Sequence, residues 1–329
     1  MDTLLLSRSE IEKTVTMKDV VKSVEKTFVG LGEGTVSNPG VLTLDLGEHT
    51  SFPSSRGFMN AMPAYVGWLD TAGIKWVGGF EENLKTGLPY VSAMILLIDP
   101  GTGRCTAVMD GSLITNMRTG AQAAVALKYL VERKSLRLCL YGAGAQARTV
   151  VAAMAEIFII EELRVYDINR EVVQSFAKDI VSLVKGQIVI ASVPEEAADG
   201  DAVISVTRSR TKFLKKDWIN AGTVVITMGS YQECDDDLIL TADKIVVDHL
   251  ETCLKRGALK QLHASGRIGE KSIYGTIGEI VSGKKRGRDS ASERILCVPM
   301  GTGAMDIAVA TVAFRKAIER ESTFRFRFV

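Results

Sequence analysis

The pattern of apolar and polar positions divides the chain into two parts. From residue 136 to residue 248, short and nearly continuous apolar runs alternate with longer segments of helical periodicity. Apolar runs of this length are typical of strands that are buried on both faces. The predicted strands are 136–141, 163–167, 187–192, 201–207, 223–229 and 244–248, and the first two predicted helices are 145–159 and 170–184. This alternation predicts an α/β fold with a doubly wound parallel sheet.

The first 118 residues have a different pattern. Turns rich in glycine and proline, such as SNPG and TGLP, separate strand-like runs such as residues 92–99. The opening segment, MDTLLLSRSEIEKTV, predicts a strand followed by a capped helix rather than a signal peptide. These features predict a separate α+β domain with an antiparallel sheet.

Two further helices define the predicted domain boundaries. Residues 119–134 form a predicted helix of small residues that leads into the parallel sheet, and residues 304–320 form another at the C-terminus. If the last helix packs back on the first domain, that domain is discontinuous. The predicted domains are therefore 1–118 with 305–329, and 119–304.

Composition excludes several classes of partner. The 329 residues include 40 basic and 39 acidic side chains, for a net charge of +1, so nucleic acid and anionic membranes are not expected partners. No apolar run approaches the roughly 20 residues of a transmembrane helix. The five scattered cysteines predict neither disulfides nor a zinc site, and suit a reducing cytoplasm. We predict no metal, and the basic segment 284–288 is interpreted as a solvated surface turn.

A glycine-rich turn, GAGAQA, lies between the strand 136–141 and the following helix. Gly142 permits a tight turn, Gly144 lets a pyrophosphate approach the backbone, and Ala147 lets helix and strand pack closely. The phosphates would meet free N–H groups and the positive end of the helix dipole. Small residues can also serve packing alone, but the strand–turn–helix context favours a Rossmann-type dinucleotide site. The predicted cofactor contacts in this turn are Gly142, Ala143, Gly144, Ala145, Gln146 and Ala147.

Asp167, at the end of the next strand, indicates which dinucleotide is bound. A carboxylate there accepts hydrogen bonds from the adenosine ribose and repels a 2′-phosphate, which favours NAD. NADP stays possible because Arg170 is close, and Asn169 and Arg170 are also predicted contacts. Asp167 can also cap the helix that follows.

Several motifs together resemble the ornithine cyclodeaminase/μ-crystallin family over nearly the whole length. They are MPAY (62–65), GIKWV (73–77), the N…GLP pattern within ENLKTGLP, DGSLITNMRTGA (110–121), YGAGAQAR (141–148), IGEIVSGKKRGR (277–288) and GTGAMD (301–306). The resemblance implies a homodimer with an N-terminal substrate domain and a central Rossmann domain. It also implies NAD(P)-dependent chemistry at the carbon–nitrogen bond of α-amino or α-imino acids.

The resemblance also suggests which residues bind substrate and cofactor. Lys75 and Arg118 match the cations that the family places against the substrate carboxylate, and both groups suit a carboxylate chemically. Lys75 can otherwise be an edge lysine, and Arg118 can be part of an interdomain salt bridge. The remaining predicted contacts are Met62 and Arg56 for substrate, and Thr115, Thr207, Met228 and Gly229 for cofactor. Asp306 either approaches this region or caps its helix.

The chain departs from the family pattern at three places. Gly40 follows Pro39 where many members have a basic residue, and Arg56, or more weakly His49, is a possible substitute. Tyr231 stands where the resemblance places the cyclodeaminase aspartate, and Asn60 stands where it places a glutamate. The cluster Asp235 to Asp237 is interpreted as a charged helix start.

These observations favour an NAD(P)-dependent ketimine reductase or amino-acid dehydrogenase. Lys75 would anchor the carboxylate with Arg118 and could donate a proton if its pKa is lowered. Two alternatives stay open. One is a cyclodeaminase-type lyase that returns its NAD unchanged, and the other is a crystallin-like binding protein that retains the cofactor without turnover.

Overall fold

The computed structural model describes residues 2–46, 57–320 and 324–327. Within these residues the strands are β1 (Thr3–Leu6), β2 (Val36–Ser37), β3 (Leu42–Leu46), β4 (Gly57–Val66), β5 (Thr71–Gly79), β6 (Val91–Ile98), β7 (Cys105–Asp110), β8 (Ser135–Tyr141), β9 (Ile159–Tyr166), β10 (Gln187–Ile190), β11 (Ala202–Ser205), β12 (Val224–Thr227), β13 (Lys244–Val247), β14 (Gly275–Thr276), β15 (Ile295–Val298) and β16 (Phe324–Phe326). The α-helices are α1 (Arg8–Glu12), α2 (Met17–Glu33), α3 (Ser112–Leu130), α4 (Ala145–Ala155), α5 (Arg170–Ile180), α6 (Asp236–Leu240), α7 (Leu250–Lys255), α8 (Lys260–Ala264), α9 (Ile277–Val281) and α10 (Gly303–Ile318).

The chain forms two compact units. The first is Met1–Arg118 with Thr302–Val329, and the second is Thr119–Gly301. Both the predicted opening strand and its capped helix are present, because Ser7 and Glu10 form a capping box at the start of α1. The assignment of substrate and cofactor binding to these two units stays a prediction.

The first unit contains a mixed sheet with the order β16-β1-β7-β6-β5-β4-β2, and β3 also pairs with β4. The sheet is antiparallel as predicted except at one described pair, because β1 pairs with β7 in parallel. Side chains alternate along the central strands, so that Met62, Lys75 and Ile95 are buried in one cross-strand row. The helices α2 and α10 pack together, and α10 also packs on β4 and β5.

The second unit contains a parallel sheet with the order β10-β9-β8-β11-β12-β15-β13-β14. The α/β prediction is confirmed, and all six predicted strands exist. The prediction missed β15, which pairs with both β12 and β13 and so separates them. It also placed Ile159 in the preceding helix, whereas α4 ends at Ala155 and β9 begins at Ile159.

The interpretation of the basic segment 284–288 as a solvated surface turn is wrong for Arg288, whereas Lys284 and Arg286 are exposed. Arg288 is only 7% exposed and donates hydrogen bonds to backbone carbonyls of three segments. The acceptors are the carbonyl oxygens of Leu130, Gly222, Ser290, Ala291 and Glu293. A planar guanidinium can hold several carbonyls at once, which explains an arginine at this position.

Four of the five cysteines are buried and Cys105 is partly buried, and all five are free thiols. None of the helices in the described parts of the chain is long and apolar enough to cross a membrane.

Candidate functional site

Close packing between α10 and the sheet of the first unit brings a carboxylate to Lys75. A Cβ added at Gly303 would lie 2.5 Å from the carbonyl oxygen of Met62, and one added at Gly73 would lie 2.7 Å from Ile307 Cδ1. At position 303 only glycine therefore allows this approach of helix to strand, because the atom that its Cβ would meet belongs to the backbone. Asn38 adds to it by accepting a hydrogen bond from the N–H of Ala304 in the first turn of α10. Asp306 lies one turn into the helix, over β5.

Lys75, Arg118 and Asp306 form a buried ion cluster. Lys75 Nζ lies 2.6 Å from Asp306 Oδ2, and Arg118 Nε donates to Asp306 Oδ1 at 3.0 Å. Thr115, one turn before Arg118 on α3, donates its hydroxyl to the same oxygen at 3.4 Å. Lys75 is 1% exposed and Asp306 is fully buried. The interpretation of Lys75 as a snorkelling edge lysine is therefore wrong.

The ammonium group of Lys75 loses its proton more easily than that of an ordinary lysine. Burial, together with the nearby Arg118 guanidinium, lowers its pKa to about 8, although the carboxylate of Asp306 opposes this change. An ammonium group with a pKa in this range can act as a cation or give up its proton near neutral pH. This makes the cluster suitable both for binding an anion and for proton transfer.

The other residues predicted in the first unit lie in several places. Met62 is buried directly across from Lys75 on β4. Thr115 donates its hydroxyl to Asp306, and its predicted contact with the cofactor stays a prediction. Asn60, which stands in place of the family's glutamate, accepts a hydrogen bond from Thr43 Oγ1 at 2.8 Å. Arg56 and His49 lie outside the described residues.

The glycine turn of the second unit has the geometry that its sequence predicts. Gly142 has φ +94°, and a Cβ there would lie 2.9 Å from the carbonyl oxygen of Val206, so the turn requires glycine. Gly144 precedes α4 with an ordinary φ of −78°, and a Cβ there would have no heavy atom within 4 Å. Packing alone therefore does not explain Gly144. Ala147 is fully buried, while Ala145 and Gln146 are more accessible.

Asp167 fixes this turn rather than capping a helix. Its Oδ2 accepts the N–H of Ala143 at 2.9 Å, and its Oδ1 accepts the N–H of Asn169. Asn169 is the N-cap of α5, so the capping interpretation of Asp167 is wrong. Arg170 is the exposed first residue of α5.

A buried carboxylate that the sequence reasoning missed contacts two predicted cofactor residues, Thr207 and Gly229, at the carboxyl edge of the sheet. Glu233 is fully buried and accepts hydrogen bonds from both the hydroxyl and the backbone N–H of Thr207. It also lies against Gly229, where a Cβ would be 2.5 Å from its Oε2. Burial raises the pKa of Glu233. Met228, beside Gly229, is half-buried.

The acidic segment that follows Glu233 has a structural role. Asp235 caps α6 by accepting the N–H of Leu238, and Asp236 pairs with Lys212 and Arg267. The prediction of a charged helix start is thus confirmed. Tyr231 is exposed, and its ring lies under the guanidinium of Arg210.

The chain belongs to the ornithine cyclodeaminase/mu-crystallin family, whose model matches residues 1–321. It is 33% identical to alanine dehydrogenase of Archaeoglobus fulgidus over 100% of this chain and 99% of the relative. A solved archaeal alanine dehydrogenase dimer with bound NAD has a TM-score of 0.91 and 31% identity, with both chains fully covered. Thermococcus litoralis Δ1-pyrroline-2-carboxylate reductase, in complex with NADH and L-proline, has a TM-score of 0.90 and 36% identity, covering 98% of this chain and 99% of that one.

Proposed function

We propose that this protein is an NAD(P)-dependent oxidoreductase that acts on the carbon–nitrogen bond of an α-imino or α-amino acid, as a ketimine reductase or amino-acid dehydrogenase. The buried cluster of Lys75, Arg118 and Asp306 carries the proposal, because two buried cations with one anion leave a net positive charge that suits a carboxylate. The names of the two relatives, alanine dehydrogenase and Δ1-pyrroline-2-carboxylate reductase, support this choice of substrate class.

A nicotinamide dinucleotide fits the glycine turn. The bare backbone at Gly144, at the start of an 11-residue helix, is what a pyrophosphate requires. We assign residues 142–147 to the pyrophosphate, and Asp167, Asn169 and Arg170 to the adenosine end. Thr207, Met228 and Gly229 are assigned to the nicotinamide end. When bound, this cofactor supplies or accepts the hydride.

We favour NAD over NADP as the cofactor. The Asp167 carboxylate is fixed by the N–H groups of Ala143 and Asn169, in the place where a ribose is recognised. A fixed carboxylate repels a 2′-phosphate, and the solved relatives named above contain NAD or NADH.

The residues of the first unit would bind and orient the substrate. Arg118 and Lys75 would share its carboxylate, and Met62 would supply an apolar contact beside Lys75. Because the pKa of Lys75 is about 8, its ammonium group can also donate a proton to the substrate nitrogen near neutral pH.

We also propose a homodimer that uses the outer face of the first unit's sheet. Leu42, Trp76 and Met94 lie in one cross-strand row on that face, and they are 73%, 38% and 44% exposed. Exposed apolar side chains in a contiguous row are typical of an interface. The dimeric archaeal alanine dehydrogenase supports a second copy of this chain as the partner.

The five free cysteines suit a reducing compartment, and we propose the cytoplasm as the location.

The proposal is tested by following NADH or NADPH oxidation with a panel of 2-oxo acids plus ammonia or methylamine, and with cyclic imino acids. We expect turnover with at least one imino acid and a loss of about a hundredfold or more in kcat/KM in Lys75→Ala and Arg118→Ala. The control is Lys85→Ala, because Lys85 is an exposed lysine of the same unit. Normal turnover in both variants contradicts the substrate assignment. Ammonia release from ornithine without a net change in NADH would instead indicate a lyase.

A further inference from the structure

Asp306 is the anion shared by the two cations of the cluster. One carboxylate oxygen contacts Lys75 Nζ at 2.6 Å and the other accepts from Arg118 Nε at 3.0 Å. A single carboxylate on α10 therefore fixes the positions of the Lys75 ammonium group and the Arg118 guanidinium.

The charge balance shows why a carboxylate is needed there. Lys75 and Arg118 are 1% and 6% exposed, so water screens their mutual repulsion poorly. Asp306 leaves the three groups with a net charge of +1, which a single substrate carboxylate would neutralise. Without Asp306, two buried like charges would face each other, and Lys75 is the group that can lose its proton.

We propose that Asp306 is a positioning residue. It keeps the Lys75 ammonium group charged and holds it beside Arg118, so that Lys75 and Arg118 together bind one substrate carboxylate. This inference rests on the proposed function. It gives Asp306 a role in substrate binding in addition to its place in the core of the first unit.

The neighbours of Lys75 within the described residues allow the assignment to be tested by pH. On the adjacent strands, the residues directly across from it are Met62 and Ile95, which do not titrate. The charged groups that act on it are Arg118 on α3, which lowers its pKa, and Asp306 on α10, which raises it. Removing the charge of Asp306 must therefore shift the pKa of Lys75 downwards.

The test is the binding of pyrrole-2-carboxylate, an unreactive planar carboxylate, measured by calorimetry with NADH-loaded protein from pH 6 to 9.5. In the wild type we expect affinity to fall above about pH 8, with proton uptake on binding in that range, because the bound carboxylate requires charged Lys75. In Asp306→Asn we expect the affinity to begin to fall at a pH about one unit lower than in the wild type. The kcat/KM for an imino acid should show the same shift, while the Kd of NADH stays unchanged.

Asp306→Glu keeps the charge, so we expect the fall in affinity at the wild-type pH even if the affinity itself is reduced. This variant, together with proton uptake by the wild type, keeps the inference testable if Asp306→Asn does not fold. The control for packing in α10 is Thr311→Val, since Thr311 is buried and donates its hydroxyl to the carbonyl of Ile307 in the same helix.

An unchanged pH dependence in a folded Asp306→Asn, or in the wild type no proton uptake near pH 8, would overturn the inference while the proposed function stands. Failure of the wild type to bind the carboxylate or to turn over any imino acid would overturn both.

Discussion

At the scale of single residues, the structure separates glycines needed for folding from glycines left for a ligand. Gly142 adopts φ +94°, and a Cβ there would lie 2.9 Å from the carbonyl oxygen of Val206. Gly144, two positions later, has neither constraint. The sequence alone predicts both glycines as parts of one motif. Only the structure shows that the backbone requires glycine at position 142 and not at position 144.

This difference predicts that alanine at one position weakens NADH binding, whereas alanine at the other lowers stability. Gly144→Ala should leave the free energy of unfolding within about 0.5 kcal/mol of the wild type, yet weaken NADH binding about tenfold or more, because its Cβ would occupy the place of the pyrophosphate. Gly142→Ala should lower the stability by about 1–3 kcal/mol through backbone strain. Urea unfolding and NADH fluorescence titration measure the two effects. Unchanged NADH affinity in Gly144→Ala would contradict the cofactor assignment.

At the scale of elements, what could be predicted depended on whether the determining contacts are local. The strand 136–141 and the turn at 142–147 were predictable because their periodicity and glycines lie in one short segment. The position of Ile295–Val298 between β12 and β13 was not, since four apolar residues do not reveal their partners. Likewise, Asp306 lies 231 positions beyond Lys75 in the sequence, and the contact between them follows only from the packing of α10 on β5.

The segment around Arg288 gives an element-scale prediction. Arg288→Met removes the donors for five backbone carbonyls and should lower the free energy of unfolding by about 3 kcal/mol. The matched control is Arg286→Met, because Arg286 is exposed and its ion pair with Asp289 is long, at 3.7 Å. The control should change stability by less than about 0.5 kcal/mol. Equal stability losses in urea unfolding would show that Arg288 does not join these segments.

At the scale of the whole molecule, the exposed apolar row on the first unit's sheet is hard to explain in a monomer. Alternation along β5 and β6 buries Lys75 and Ile95 on one face and leaves Trp76 and Met94 on the other. Polar residues would be expected on a solvated sheet face. A second copy of the chain would cover this row.

Light scattering after size exclusion should therefore give at least twice the chain mass of 35.7 kDa. We expect the double variant Trp76→Glu with Met94→Glu to reduce the mass to that of one chain, because it places charges in the proposed apolar interface. Val181→Glu, an exposed apolar position in the second unit, is the control and should not change the mass. A monomeric wild type would contradict the proposed interface.

The central claim is that Arg118 and Lys75 bind the carboxylate of an imino acid. The most direct measurement compares kcat/KM for Δ1-pyrroline-2-carboxylate and for 1-pyrroline, the same ring without its carboxylate, in the wild type and in Arg118→Ala. We expect the wild type to prefer the substrate with the carboxylate by about a hundredfold or more, and most of this preference to disappear in the variant. A preference that is the same in both proteins would contradict it.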